Sequence, residues 1–227
     1  MALNIAVHKT ILFQILKDIY SDSSIASLLG FKGGTAALMF YGLDRFSVDL
    51  DFDLLDEDKA GYIFQRVSEI VKGHGVLKES HQKRFNLFYL LSYEDHARNI
   101  KIEINKRQFG SKFELKTYLG VSMLVMARED MFAHKLMAMY ERIGKTSRDI
   151  YDVWFFLSHR FPINKEIVEK RAGTSFNVIL KQLIDKLEKM NNKNILTGVG
   201  ELLTKTQKSW ARENLRQETI SLLKLRL

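Results

Sequence analysis

Asp49 and Asp51 stand two residues apart in the stretch "SVDLDFD", which closes on Asp53. On a strand, alternation places both carboxylates on one face and turns Val48, Leu50 and Phe52 toward a core. Two like charges at that spacing repel and raise each other's proton affinity unless a cation lies between them. Magnesium binds carboxylate and phosphate oxygens together, so an Asp-x-Asp strand suits metal-assisted phosphoryl chemistry. An edge strand guarded by charges also fits these residues taken alone.

The segment begins with Gly33, Gly34 and Thr35, ahead of the helical pattern "TAALMFYG". Glycines allow a backbone to approach a ligand closely, and a helix start offers unpaired N–H groups to phosphate. The Thr35 hydroxyl is a further donor. One end of the segment therefore suits phosphates and the other suits their metal ions. A third carboxylate is offered by "NIKIEINKR", where Ile100, Ile102 and Ile104 alternate with Lys101, Glu103 and Asn105. Glu103 joins a metal site if this strand neighbours the Asp49–Asp51 strand. Otherwise it belongs to a solvated strand face.

Two later helices carry further candidates. "REDMFAHKLMAMYER" brings Met131, His134, Lys135 and Ala138 along one side. Lys135, flanked by apolar residues, suits a triphosphate as a compact point charge. His134 reads as a packed or hydrogen-bonded histidine rather than a base. In "SRDIYDVWFFLSH", Ser147 is the expected N-cap and Asp149 lies in the first turn, where a carboxylate also complements the helix dipole. Asp152 follows on a similar side.

The elements that must position these residues read as α+β first and all-α second. Helices are expected over 5–20, 35–41, 58–73, 128–142 and 147–159. Strands are expected over 47–54, 76–82, 85–91, 99–106 and 121–126. Pro162, the single proline of 227 residues, marks the expected boundary between a core (1–160) and a helical region (161–227). The chain has no cysteine, which excludes disulfides and thiolate metal sites and fits a cytoplasmic setting. No apolar run is long enough to span a bilayer, so no membrane role is expected. Net charge is +8, and residues 161–227 hold 13 Lys/Arg against 7 Asp/Glu. Such a surplus fits an anionic partner such as RNA, with Lys181, Lys205, Lys208 and Arg212 as candidates; a solvated helical surface fits it too.

Together "GGTAALMFYGLDRFSVDLDF", "IKIEI", "EDMFAHKLMAMYER" and "SRDIYDVWFF" resemble, in this order, the AbiEii/AbiGii-type nucleotidyltransferase toxins of bacteria and archaea. The resemblance covers about 31–159, with Thr35 where serine is common. It implies a polymerase-β-like core with a mixed sheet, a helical C-terminal part, and Mg²⁺-dependent (or Mn²⁺-dependent) use of a nucleoside triphosphate (NTP). It further implies a toxin–antitoxin or abortive-infection role with a cognate antitoxin, and for some members an RNA acceptor, the tRNA 3′ end. By resemblance Lys135 matches the family's lysine and Asp149 its last-motif aspartate, although Asp152 lies in the same "RDIYD". Transfer to a small molecule or protein, or RNA binding without catalysis, are the competing functions.

Overall fold

The computed structural model describes residues 4–95 and 97–227. The chain forms two compact units. The first runs to Gly42 and includes Phe46–Gln108 and Lys112–Met126. The second holds Ala127–Leu227 with the short segments Leu43–Arg45 and Phe109–Ser111. The units therefore divide at Met126/Ala127 and not near Pro162. The reason is local: just past the proline, Asn164 donates its backbone N–H to Glu129 and its side-chain amide to Asp130. These bonds tie the following helix back to the one that starts at Arg128.

In the first unit, helix α1 (Ile5–Ser21) precedes strand β1 (Leu29–Lys32), helix α2 (Gly33–Phe40) and strand β2 (Leu50–Leu54). Helix α3 (Ala60–Lys72) then leads into β3 (Val76–Gln82), β4 (Asn86–Ser92), β5 (Ile100–Asn105), β6 (Phe113–Tyr118) and β7 (Val121–Met126). The strands make one sheet in the order β3-β4-β5-β2-β1-β7-β6, which puts β2 at the centre. β2 runs parallel to β5 and antiparallel to β1. The sheet is mixed, as expected.

One sheet face is the core. Leu50 and Phe52 of β2, Ile102 and Ile104 of β5, and Leu87 and Tyr89 of β4 are fully buried. Beneath them lie Leu12, Ile15, Leu16 and Ile19 of α1 and Ile63, Val67 and Val71 of α3. The i, i+3, i+4, i+7 spacing on α1 and the i, i+4, i+8 spacing on α3 are stripes that amphipathic helices present to a sheet. The opposite face carries the polar positions of β2 and β5.

Strand β2 starts at Leu50, three residues later than the expected 47–54. The carbonyls that would extend the ladder are taken by side chains instead. His8 of α1 meets the Val48 carbonyl through Nε2 at 2.9 Å, and Thr35 of α2 donates its hydroxyl to the Asp49 carbonyl. Two strands lay outside the sequence reading. β1 is only four residues and contains a glycine, and β6 ("FELKTY") carries two charges in six residues. β1 is too short for alternation to register, and in β6 the polar residues Glu114, Lys116 and Thr117 do not keep to one face.

The second unit is helical: α4 (Arg128–Arg142), α5 (Arg148–Ser158), α6 (Lys165–Ala172), α7 (Phe176–Lys189), α8 (Lys205–Glu213) and α9 (Leu215–Lys224). Its core includes Phe132, Leu136, Phe156, Leu180, Leu183 and Leu223. α8 begins with a capping box in which Thr204 and Gln207 satisfy each other's backbone N–H groups. Among the described residues no helix is long and apolar enough to cross a membrane.

His8 supplies a test of how the sheet is held. Because a carbonyl only accepts, Nε2 carries the proton and Nδ1 accepts from Tyr93, at 2.9 Å. Burial lowers the ring's pKa from 6.5, outweighing its bond to Val48 and the charge of Asp49. The unfolded chain therefore takes up a proton that the folded chain resists. This contribution is full above about pH 6.5 and is lost as pH falls below it. Urea unfolding at pH 7.5 and pH 5.5 should show that loss in the wild type and a smaller one in His8→Gln. Equal pH dependence in the two proteins would remove His8 from this role.

Candidate active site

Gly33 is the first residue of α2 and has φ of 83°, a conformation glycine adopts without strain. A Cβ at this position would lie 2.3 Å from Asp51 Oδ2 and 2.8 Å from Asp51 Cβ. The start of α2 and the Asp51 carboxylate are thus in contact only because residue 33 has no side chain. Lys32, the residue before the helix, makes no side-chain cap, so its side chain leaves the first N–H groups uncovered. Gly34 and Thr35 are buried in the same turn. The Thr35 hydroxyl proton goes to the Asp49 backbone, so in this structure Thr35 places Asp49 instead of facing outward as a donor.

Strand register carries the other carboxylate to the same place. Asp51 pairs directly with Glu103 across the parallel β2–β5 ladder, on the face opposite the core. The condition on Glu103 is therefore met. Its oxygens are engaged: Oε1 accepts from Asn86 at 2.9 Å, and Oε2 lies 3.3 Å from Lys101 Nζ. Burial alone would raise the Glu103 pKa, but Asn86, Lys101 and Lys32 together bring it below the usual range.

Lys101 is the residue on this face that sequence reasoning passed over. Burial works to lower its pKa, yet the charges of Asp51, Asp49 and Glu103 raise it overall. Its ammonium reports a negative potential at the carboxylates. The signal was present in "KIEIN", where Lys101 shares the face of Glu103, but an alternating strand gives no means of telling a counterion from a solvated lysine. Asp53, which closes the stretch, continues the same face as Asp51. It is buried and bound by Lys32 at 2.5 Å and by Asn105 at 2.8 Å. Its charge is balanced inside the unit.

Among the described residues, no group of three or more His, Cys, Asp or Glu side chains is placed to hold a metal ion. The observation that bears on fit is the donor set itself: Asp49 and Asp51 are half-buried, offer only oxygen, and both favour the charged form of Lys101. That chemistry suits a hard divalent ion.

In the second unit Lys135 lies on α4, with its Nζ 2.7 Å from Asp152 Oδ2. Arg45 holds the same carboxylate in a fork, Nε to Oδ1 at 2.5 Å and Nη2 to Oδ2 at 2.7 Å. Asp152 is fully buried. Burial would raise its pKa, but Arg45 and Lys135 hold it well below the ordinary carboxylate range. Lys135 is thus brought together with Asp152 and not with Asp149. Asp149 instead accepts from Arg142 at 2.7 Å through Oδ1, while Oδ2 is buried with no hydrogen-bond partner. Ser147 precedes α5 as expected but makes no side-chain cap. His134 has both ring nitrogens engaged, Nδ1 by Arg171 and Nε2 with Ser111, each at 2.8 Å. Since Arg171 only donates, Nδ1 accepts and the proton sits on Nε2. That is the hydrogen-bonded histidine the sequence implied.

The mixed sheet, with a Gly-Gly-Thr helix start set against an Asp-x-Asp segment that enters β2, is that of a nucleotidyltransferase. The chain belongs to the AbiEii family: the model described as "Nucleotidyl transferase AbiEii toxin, Type IV TA system" matches residues 14–219. It is therefore of the toxin nucleotidyltransferase type of a toxin–antitoxin system. In fold it is similar to a candidate nucleotidyltransferase from Helicobacter pylori, with TM-score 0.58 and 19% identity over 100% of this chain and 99% of that one. It is also similar to JHP933 of Helicobacter pylori, with TM-score 0.55 and 18% identity over 100% and 96% of the two chains. No curated protein matches the chain.

The Asp152 cluster generates a stability prediction. Removing one partner from a buried, multiply bonded ion cluster leaves uncompensated charge, at a cost of about 3–5 kcal/mol. Asp152→Asn should fall by that order in urea unfolding, whereas Asp149→Asn, which breaks one ion pair to the half-exposed Arg142, should lose clearly less. Equal losses would mean that Asp152 is not the anchor of this cluster.

Proposed function

We propose that the protein transfers a nucleotide from an NTP to the 3′ end of an RNA, with tRNA as the acceptor, and that Mg²⁺ or Mn²⁺ is required. The observation that carries the reading is the contact of Asp51 with Gly33, with Glu103 in register beside Asp51. It joins a helix start that suits phosphate to a carboxylate face that suits a divalent cation.

Asp49 and Asp51 would hold the ion, with Glu103 as the third carboxylate once Lys101 yields its oxygen. When bound, the ion supplies charge neutralisation at the phosphoryl group under attack. The chain's own residues do the rest. Gly33, Gly34 and the first N–H groups of α2 bind the triphosphate. Thr35 and His8 fix the backbone of Asp49 and Val48, so the carboxylates are set before substrate arrives. Lys135 offsets charge on the triphosphate. The acceptor hydroxyl attacks the α-phosphorus, a P–O bond forms, the bond to the β-phosphate oxygen breaks, and pyrophosphate leaves. The reaction takes place in the cytoplasm, and a cognate antitoxin restrains it.

The test incubates the protein with each labelled NTP, Mg²⁺ and total RNA. Label should enter RNA of tRNA size. Asp49→Ala and Asp51→Ala should each reduce transfer about 10³-fold or more, since a metal contact contributes several kcal/mol to the transition state. Transfer by either variant within a few fold of wild type would overturn the metal assignment. Label on a protein or a small molecule would overturn the RNA acceptor.

Lys135 makes a separate prediction. Lys135→Ala should raise the KM for NTP strongly, and Lys135→Arg should restore it only in part, because a planar fork does not replace a compact ammonium. Titration of KM for both variants checks this, and an unchanged KM in Lys135→Ala would sink the role.

A further inference from the structure

The carboxylate face of the sheet continues outward past Glu103. Register pairs Glu103 with Phe88 on β4, and Phe88 with His81 on β3. One row therefore crosses four strands as Asp51, Glu103, Phe88 and His81. Neighbouring strands lie about 4.8 Å apart, which puts Phe88 about 10 Å from Asp51. The His81 ring stacks with Phe88, centroids 6.2 Å apart and planes 16° apart, and Lys83 Nζ sits 5.9 Å from the Phe88 ring.

Beside this row is the β3–β4 turn. Phe85 at its tip is 49% exposed, which leaves part of its ring open to a ligand. Arg84 lies 5.0 Å and Arg107 5.6 Å from its ring centre. The Lys106 N–H donates to the Phe85 carbonyl at 2.9 Å, and its Nζ reaches the Lys83 carbonyl at 3.4 Å. The tip thus gathers Lys83, Arg84, Lys106 and Arg107, and neither 81–88 nor 104–108 contains a carboxylate. Asn86, next to Phe85, is the residue that donates to Glu103. The basic tip and the carboxylates are linked by one side chain.

We propose that this surface binds the acceptor RNA: Phe88 with His81, and Phe85, receive bases, and Lys83, Arg84, Lys106 and Arg107 bind the phosphodiester backbone. The proposal rests on the nucleotidyltransfer reading of Asp51 and adds the direction from which the acceptor arrives. Charge complementarity selects the occupant. Four cations spaced along a turn suit several phosphodiesters, and aromatic rings among them suit unstacked bases of any sequence. Arg107 Nε donates to Asn105 Oδ1 at 3.3 Å, which holds its guanidinium beside the Phe85 ring, and a guanidinium has five N–H donors in all. The order of strands separates the two reactants. From β2, the glycine turn and α2 lie toward β1, while the aromatic row runs the other way through β5, β4 and β3. Triphosphate and acceptor therefore reach the carboxylates from opposite sides.

The experiment measures binding of a fluorescent single-stranded RNA oligonucleotide by anisotropy, for wild type, Phe85→Ala and Arg84→Glu/Arg107→Glu. Circular dichroism checks folding, and these exposed positions should leave it intact. Loss of a stacked base should weaken RNA binding about tenfold in Phe85→Ala. The charge-reversed protein should bind at least tenfold more weakly, with a salt slope shallower by about 1.4, the change expected when two phosphates of a single strand are no longer neutralised. NTP binding should stay within twofold. RNA affinity and salt slope within error of wild type in the charge-reversed protein would overturn the proposal. So would normal RNA binding combined with escape from a co-expressed antitoxin, which would assign the tip to a protein. Nucleotide transfer by wild type is scored separately. Wild type that labels no RNA fails the proposed function, whereas wild type that labels RNA no better than the charge-reversed protein fails this surface alone.

Discussion

The contact of Gly33 with Asp51 is the constraint around which the first unit is built. A side chain at residue 33 would occupy the space of the Asp51 carboxylate. Relieving that overlap would move either α2 or β2, and neither moves alone. β2 is the central strand, bound on one side by β1 and on the other by β5. α2 is tied to the entrance of β2 by Thr35, and the same entrance is tied to α1 by His8. The close approach of the Gly33 backbone to the Asp51 side chain thus fixes one carboxylate against one helix start, and the surrounding sheet holds that distance.

Such a face must carry its charge without unfolding. Asp53 is bound by Lys32 and Asn105, and Glu103 by Asn86 and Lys101. Asp49 and Asp51 share the field of Lys101. On this polar face Asp53 and Glu103 each have a lysine in direct contact, and the charge of Asp51 is felt by Lys101. The interaction is a balance of several charges and is weaker, for any single pair, than one buried salt bridge.

Much of this was legible in the sequence because it obeys a local period. Alternation identified β3, β4, β5 and β7 and the face shared by Lys101, Glu103 and Asn105. The 3.6 period identified α1, α4 and α5. Glycines ahead of a helix, followed by Asp-x-Asp, marked the pair that the structure brings into contact. The remainder depends on partners distant in the chain. The start of β2 at Leu50 is decided by His8 and Thr35, which no window around residue 50 contains. Asp53 is buried by a lysine 21 positions earlier. That Lys135 meets Asp152 goes with Arg45, which binds the same carboxylate from 107 positions away. A pattern of types shows which side chains share a face; it does not show what meets that face.

Arg45 also explains why a lysine stands at position 135. Both cations bind Asp152, but they do so differently. Arg45 places two of its five N–H donors on the two carboxylate oxygens, and its side chain is 1% exposed, so it is enclosed together with the carboxylate. Lys135 meets one oxygen from a side chain that is 12% exposed. An ammonium has three protons, and a single carboxylate oxygen uses one. The carboxylate is held whether or not the lysine is also engaged elsewhere, because the arginine already satisfies both oxygens. The cluster therefore separates two tasks that one residue could not perform together: Arg45 keeps Asp152 ionised and fixed, and Lys135 keeps donors to spare.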